Sequence, residues 1–247
     1  RSMEEKKETF RFPICSAVVV AAGDSSRMGL GGSKQLLSLL GVPVLLRTLR
    51  ALQLSDSIGE IVVVCRQADL PEIEPFSREI SKISAIVSGG KTRQESVWNG
   101  VAAVSGKAQY LAIQDGARPL IRPAAVNRVV ADACRYGVSV LATSVKDTIK
   151  VSGADGMVLQ TPERSTLRAV QTPQVFRRDL YLQAAKCARE NGGEYTDDCQ
   201  LAERAGISVH LCDGDATNLK ITTPEDFYTM RAILEAKENA QIYGLDG

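Results

Sequence analysis

The segment Ala21-Ala22-Gly23-Asp24-Ser25-Ser26-Arg27-Met28-Gly29, with Lys34 shortly after it, combines small residues with two cations. Small residues let backbone N–H groups approach phosphate oxygens closely, and Arg27 and Lys34 add positive charge to the same loop. An apolar, strand-like run leads into it. In an open parallel sheet, ligands bind beyond the carboxyl ends of the strands. The segment matches neither a Walker A loop nor G-x-G-x-x-G. Taken alone, it reads equally as a polar loop that holds two cations.

Two further segments have the same strand-to-loop placement. Ser88-Gly89-Gly90-Lys91-Thr92-Arg93-Gln94-Glu95-Ser96-Val97 leaves an apolar run and enters a helical pattern. Its glycine backbone, its hydroxyls and Arg93 could grip a base or ribose, or it could be an ordinary helix start. Gln114-Asp115-Gly116-Ala117-Arg118-Pro119 ends another run. A carboxylate at a strand terminus that faces a phosphate loop suits magnesium or a ribose. Magnesium takes oxygen ligands, usually one or two carboxylates together with substrate phosphates. Arg118 offers a bidentate phosphate contact, and the alternative is a turn closed by Asp115. The segments Lys146-Asp147-Thr148, Glu163-Arg164, Gln171-Thr172-Pro173-Gln174, Thr196-Asp197-Asp198 and Asn218-Leu219-Lys220-Ile221-Thr222 are weaker taken singly. Arg164, in a polar stretch, and Lys220, expected just before a strand, also read as solvated charges.

The elements that must position these residues are legible as alternating patterns. Cys15 to Ala22, Glu60 to Cys65, Ile83 to Val87, Tyr110 to Gln114 and Val138 to Ala142 are short runs rich in Val, Ile and Ala without polar alternation. Strands covered on both faces read this way. Helical spacing follows Pro43 (Leu46, Leu49, Leu52), Gly90 (Val97, Val101, Val104) and Pro123 (Val126, Val129, Val130). The expected fold is α/β, a Rossmann-like, mostly parallel sheet with helices on both faces. Thr143 to Val151 and Ala169 to Phe176 read as strands around a polar, turn-rich stretch, an expected β-arm over 143–176 that leaves the main sheet. Helices are expected near Asp179 to Glu190, at Asp197 to Ala205 and from Thr223-Pro224-Glu225-Asp226 onward. The simplest organisation is one domain over 13–240. An N-terminal tail, 1–12, precedes it, and its Arg1 and Ser2 are read as residues left ahead of Met3 by cloning.

Composition narrows the function. Thirty basic residues against 29 acidic ones give a net charge of +1, so no general polyanion surface and no nucleic-acid partner is expected. The apolar runs are too short for a membrane span, and the expected location is the cytoplasm, or a plastid if a transit peptide has been removed. Cys15, Cys65, Cys134, Cys187, Cys199 and Cys212 form no C-x-x-C pair and are expected to be buried, reduced thiols. The single histidine, His210, lies in an apolar run and is expected to be structural. One histidine also excludes a Ser-His-Asp triad elsewhere and a multi-histidine metal site.

In order and spacing, the ensemble A-A-G-x-x-x-R-M-G, K-Q, G-G-x-x-R-x-x-S-V, D-x-A-R-P, D-T-x-K, T-P-Q-x-F, T-D-D and N-x-K-x-T-x-P-E-D resembles the 2-C-methyl-D-erythritol 4-phosphate cytidylyltransferase family, from about Ser16 to Leu234. The resemblance implies a nucleotide-diphospho-sugar transferase-like domain and a homodimer that exchanges contacts through the arm. It implies CTP and a polyol phosphate as substrates, and magnesium (Mg2+) as cofactor. By the same resemblance, Arg27 and Lys34 stabilise the transition state. Ala21, Ala22, Gly23, Gly90, Arg93, Ser96 and Asp115 hold CTP, and Asp115 also lies near the metal. Arg164, Lys220, Arg118, Thr148 and Thr172 position the second substrate, with Arg164 and Thr148 acting in the other subunit's site.

Ser25, Lys91, Thr92 and Thr217 depart from the family's usual residues, and they leave a second metal carboxylate in doubt. The competing readings are ribitol 5-phosphate cytidylyltransferase, a sugar-1-phosphate nucleotidyltransferase, whose G-x-G-T-R-L loop is missing here, and a non-catalytic nucleotide-binding module.

Overall fold

The computed structural model describes residues 12–23, 25, 28–29 and 32–243. The chain starts with β1 (Cys15–Ala21), a short hairpin of β2 (Ser38–Leu39) and β3 (Val42–Pro43), α1 (Val44–Gln53), β4 (Glu60–Cys65) and α2 (Leu70–Ile73). It continues with β5 (Ile83–Ser88), α3 (Arg93–Ala103), β6 (Tyr110–Asp115), α4 (Pro123–Tyr136) and β7 (Val138–Ser144). A small hairpin of β8 (Val151–Ser152) and β9 (Val158–Gln160) leads to β10 (Arg168–Arg177). The last elements are α5 (Arg178–Asn191), α6 (Asp198–Arg204), β11 (His210–Asp213) and α7 (Pro224–Tyr243).

Among the described residues, seven strands form one sheet in the order β11-β7-β10-β6-β1-β4-β5. β1 pairs in parallel with β4 and β6, β4 with β5, and β7 with β11, whereas β10 runs antiparallel between β6 and β7. Alternate residues of each strand feed opposite cores. Ala17, Val19, Ile61, Val63 and Ala112 pack with Leu45, Leu49 and Leu52 of α1 and with Val126, Val129 and Val130 of α4. Val18, Val62, Val64, Leu111 and Ile113 pack with Val97 and Val101 of α3, Tyr181 and Ala184 of α5, and Leu201 of α6. Both faces are therefore apolar, which is why the strands show no polar alternation. A third, smaller cluster joins Met28, Leu39, Val44, Ala117, Leu120 and Ile221 to Met230 of α7.

Three expectations are corrected. Thr143 to Val151 is not one strand: β7 ends at Ser144, and only Val151–Ser152 resumes. Ala169 to Phe176, expected in the excursion, lies instead inside the main sheet. Val175 and Phe176 are fully buried, and Gln174 pairs with Ile113 and Val140. The excursion is thus confined to 145–167. Lys220 also precedes no strand. Its segment is irregular and is tied down where Ile221 N–H donates to the Ala117 carbonyl at 2.9 Å.

Candidate active site

The carboxyl ends of β1, β5 and β6 meet at one edge of the sheet, and the three loops leaving them line a cavity of about 390 Å³. Its walls carry Ala22, Gly23, Lys34, Gln35, Gly90, Arg93, Ser96, Asp115 and Lys220. The loops can meet because one of them lacks a side chain at the crossing. A Cβ on Gly89 would lie 2.4 Å from Ala22 Cβ and 2.8 Å from Ser96 Oγ. Thr92 caps α3 by accepting from Glu95 N–H at 3.1 Å, and the Glu95 carboxylate reaches back to Lys91 N–H at 2.6 Å. This reciprocal cap gives Lys91 and Thr92, departures from the family pattern, a local role. Ser96 Oγ donates to the Thr92 carbonyl and accepts from Gly90 N–H, both at 3.0 Å, which fixes the glycine turn against the helix.

Lys34 opens a short 3-10 turn, Lys34–Leu36, and is 5% exposed. Its N–H donates to Ser25 Oγ at 2.9 Å. Ser25, the other departure within the loop, is thereby the tether that fixes where Lys34 starts. Arg27 lies outside the described residues.

Asp115, at the tip of β6, is the electrostatic centre. Its Oδ2 is 3.1 Å from Arg118 Nε and 3.4 Å from Lys220 Nζ, and its Oδ1 is 3.5 Å from Arg93 Nη2. Burial alone would push this carboxyl up. Lys220, Arg93 and Arg118 outweigh burial and hold it down to about 2, so it is ionised throughout the physiological range. Arg93 bridges to a second acid: its Nη2 is 2.9 Å from Oδ2 of Asp198, the first residue of α6. Although burial disfavours the charged guanidinium, Asp198 and then Asp115 raise the Arg93 pKa above its ordinary value.

A second cavity, of about 280 Å³, lies next to the first. It is lined by Arg118, Val170, Gln171, Thr172, Gln174, Thr196 and Asp197, and it shares Arg93, Asp115 and Lys220 with the first. Thr172 Oγ1 accepts from Asp115 N–H at 3.0 Å. Arg118 Nη1 donates to the Asn218 carbonyl at 2.7 Å, and Asn218 Nδ2 donates to the Thr172 carbonyl at 3.0 Å. Arg93 and Lys220, with Asp115 between them, thus stand in a wall between two adjoining spaces, each large enough for part of a phosphorylated ligand.

The structure brings together Ala22, Gly23, Lys34, Gly90, Arg93, Ser96, Asp115, Arg118, Thr172 and Lys220. Ala21 is fully buried in the core and lines neither space. Arg164 and Thr148 line a separate hollow of about 650 Å³ on the excursion, where Arg164 Nη1 donates to the Lys146 carbonyl at 2.9 Å. His210 is remote from these cavities, on edge strand β11, with its Nδ1 2.5 Å from Asp132 Oδ2 and its ring stacked on Tyr136.

Gln35 and Asp198 were not among the candidate residues. Gln35 lines the first cavity and is 3% exposed, and its Oε1 has no hydrogen-bond partner among the described residues. The K-Q pair was the available signal for Gln35, and T-D-D was the signal for Asp198.

Among the described residues, no group of three or more His, Cys, Asp or Glu side chains could hold a metal. One ionised carboxylate does not form a cage. It fits a magnesium ion that is carried largely by substrate phosphates.

The model of the family described as 2-C-methyl-D-erythritol 4-phosphate cytidylyltransferase matches residues 15–236. The chain belongs to this family. Curated relatives bearing that name include one from Pelotomaculum thermopropionicum, 42% identical over 90% of this chain and 95% of its own. Another is from Geobacillus kaustophilus, 42% identical over 90% and 97%. Among solved structures, the 4-diphosphocytidyl-2C-methyl-D-erythritol synthase of Anaerococcus prevotii superposes with a TM-score of 0.82 at 28% identity, covering 90% of this chain and 96% of that one. The cytidylyltransferase of Thermus thermophilus gives 0.72 at 32% identity, covering 88% and 97%. Membership in the family accounts for the mostly parallel sheet and for the ordered motifs along its edge.

Proposed function

We propose that this chain transfers the cytidylyl group of CTP to 2-C-methyl-D-erythritol 4-phosphate. The products are 4-diphosphocytidyl-2-C-methyl-D-erythritol and pyrophosphate, in isoprenoid precursor synthesis. Beyond family membership, one observation carries the reading: the wall of Arg93, Asp115 and Lys220 that separates two adjoining cavities.

CTP would occupy the first cavity, with its phosphates against Ala22, Gly23 and Lys34 and its nucleoside towards Gly90, Arg93 and Ser96. The polyol phosphate would enter from the second, beside Arg118, Thr172 and Lys220. A phosphate oxygen of the polyol phosphate forms a bond to the α-phosphorus, the P–O bond to the β-phosphate breaks, and its electron pair leaves with pyrophosphate. The nucleophile is already anionic, so no general base is needed. Asp115, held ionised by three cations, organises Lys220 and Arg118 and takes no proton.

The barrier is concentrated negative charge, and Lys34 and Arg27 are the groups to stabilise it. Magnesium would be held by Asp115 and the nucleotide's phosphate oxygens. When bound, it neutralises phosphate charge.

The same reading makes the protein a cytoplasmic homodimer, with Arg164 and Thr148 delivered to the second copy's site by the arm. Two facts support the dimer: the hollow that holds them is separate from Asp115, and Met157, Val158 and Leu159 on the arm are exposed.

Pyrophosphate release from CTP tests the function. Release is expected with methylerythritol phosphate and not with ribitol 5-phosphate. Release with neither overturns it.

A further inference from the structure

Asp198 has no part in the roles above, yet it is among the most deeply buried charged side chains near the site, at 3% exposure. Its position is fixed from several sides. Asp197 Oδ1 caps α6 by accepting from Gln200 N–H at 2.9 Å. Gln174 of β10 clamps the same turn, with its Oε1 accepting from Cys199 N–H at 2.9 Å and its Nε2 donating to Asp197 Oδ2 at 3.3 Å. Buried Cys199, Leu201 and Ala202 then lock α6 into the core beside Tyr181. A carboxylate on this turn cannot follow a moving ligand.

Among the described residues, the Asp198 carboxylate faces one cation. Arg93 Nη2 lies 2.9 Å from Asp198 Oδ2, against 3.5 Å from Asp115 Oδ1. One nitrogen is therefore held between two acids, and held closer to the one outside both cavities: Arg93 and Asp115 line the nucleotide space, and Asp198 does not. We infer that Asp198 is a positioning residue that shares the Arg93 guanidinium with Asp115, so that Arg93 stays presented to the nucleotide instead of closing fully onto Asp115. The inference rests on the reading of the first cavity as the CTP site. Its physical basis is preorganisation: a long, rotamer-rich arginine that is already anchored loses less freedom when the ligand arrives. Without the anchor, the nearest remaining carboxylate is Asp115, and Arg93 would close onto it.

The test is a double-mutant cycle on CTP affinity, measured by calorimetric titration with magnesium present, using Asp198→Asn, Arg93→Ala and the pair. Asp198→Asn is expected to weaken CTP binding about tenfold, the size of one lost close ion pair beside the site. The KM for CTP should rise with it, and kcat at saturating CTP should fall far less. In the Arg93→Ala background the same substitution should do nothing more. Losses that simply add, or unchanged CTP affinity in Asp198→Asn, overturn the inference. If Asp198→Asn does not fold, Asp198→Glu carries the test: it keeps the charge and displaces the anchor, so affinity should fall measurably, and unchanged affinity overturns the inference. Wild-type protein that binds no CTP would overturn the nucleotide reading itself. Wild-type binding together with an unaffected variant would condemn only the role of Asp198.

Discussion

Lys34 shows how much of one residue's work is done by its neighbours. The side chain is almost fully enclosed, and its backbone N–H is fixed by Ser25 Oγ. Removing the ammonium should lower kcat roughly 10²–10³-fold, the usual effect of losing one preorganised donor to a charged transition state, and weaken CTP binding far less. Steady-state kinetics beside a CTP titration checks this, and turnover near wild type would remove Lys34 from the mechanism. Ser25→Ala deletes only the tether. It should reduce kcat by less, on the order of tenfold, in line with the loss of one buried hydrogen bond. The sequence marked Ser25 as a departure from the family's usual residue, and the structure gives the hydroxyl a partner. Asp115 yields a prediction in pH. Its folded pKa is about 2 against an ordinary 3.8, a depressed carboxylate. The stability it contributes is therefore fully present above pH 3.8 and is lost as pH falls through about 2. The stability gap between wild type and Asp115→Asn, from urea unfolding, should be flat above pH 4 and narrow below it. Asp198 has the opposite sign, because burial raises its carboxyl although Arg93 opposes the shift.

At the scale of elements, the strands were legible because their patterning is set by burial on two faces. Ala17, Val18 and Val19 are all fully buried, and no polar residue alternates with them. The loops at the strand ends were legible because their residue types serve phosphate chemistry. β10 was misplaced for a reason that local sequence cannot show. Gln171, Thr172 and Gln174 are polar and flank Pro173, yet all three are buried. Their partners are distant in sequence: the Asp215 carbonyl for Gln171, Asp115 N–H for Thr172 and Cys199 N–H for Gln174. Polar residues satisfied by tertiary contacts read locally as a solvated arm. The same blindness hid Asp198, whose role depends on Arg93 more than a hundred residues away. α3 offers a test of how closely an element is seated. A Cβ on Gly100 would fall 2.4 Å from Val18 Cγ1 and 2.7 Å from Val64 Cγ2, buried branched side chains with little freedom to move. Gly100→Ala should therefore destabilise the fold by about 1–3 kcal/mol despite alanine's better helix propensity. By calorimetry, the melting temperature should drop by roughly 2–4 °C per kcal/mol. A melting temperature at or above wild type would show that α3 can lift off β1 without penalty.

For the whole molecule, the excursion between β7 and β10 holds the two candidate residues that lie apart from the cavities around Asp115. Lys34, Arg93, Asp115 and Lys220 converge within one chain, whereas Arg164 and Thr148 line a hollow of their own. The β8–β9 hairpin is small, and such ribbons are marginal in water unless something packs against them. Met157 and Leu159, 66% and 69% exposed, supply the apolar surface for that packing. Leu159→Asp should accordingly convert the proposed dimer to monomer by sedimentation and abolish turnover while CTP binding is retained. Mixing two inactive variants decides whether the arm works across the dimer. A Lys34→Ala chain paired with an Arg164→Ala chain creates one site that lacks both groups and, if Arg164 acts in trans, one site that lacks neither. Random exchange makes half the dimers mixed, each with one intact site of two, so about a quarter of wild-type activity should return. If Arg164 instead serves its own chain's site, every site in every mixed dimer lacks one group, and no activity is recovered.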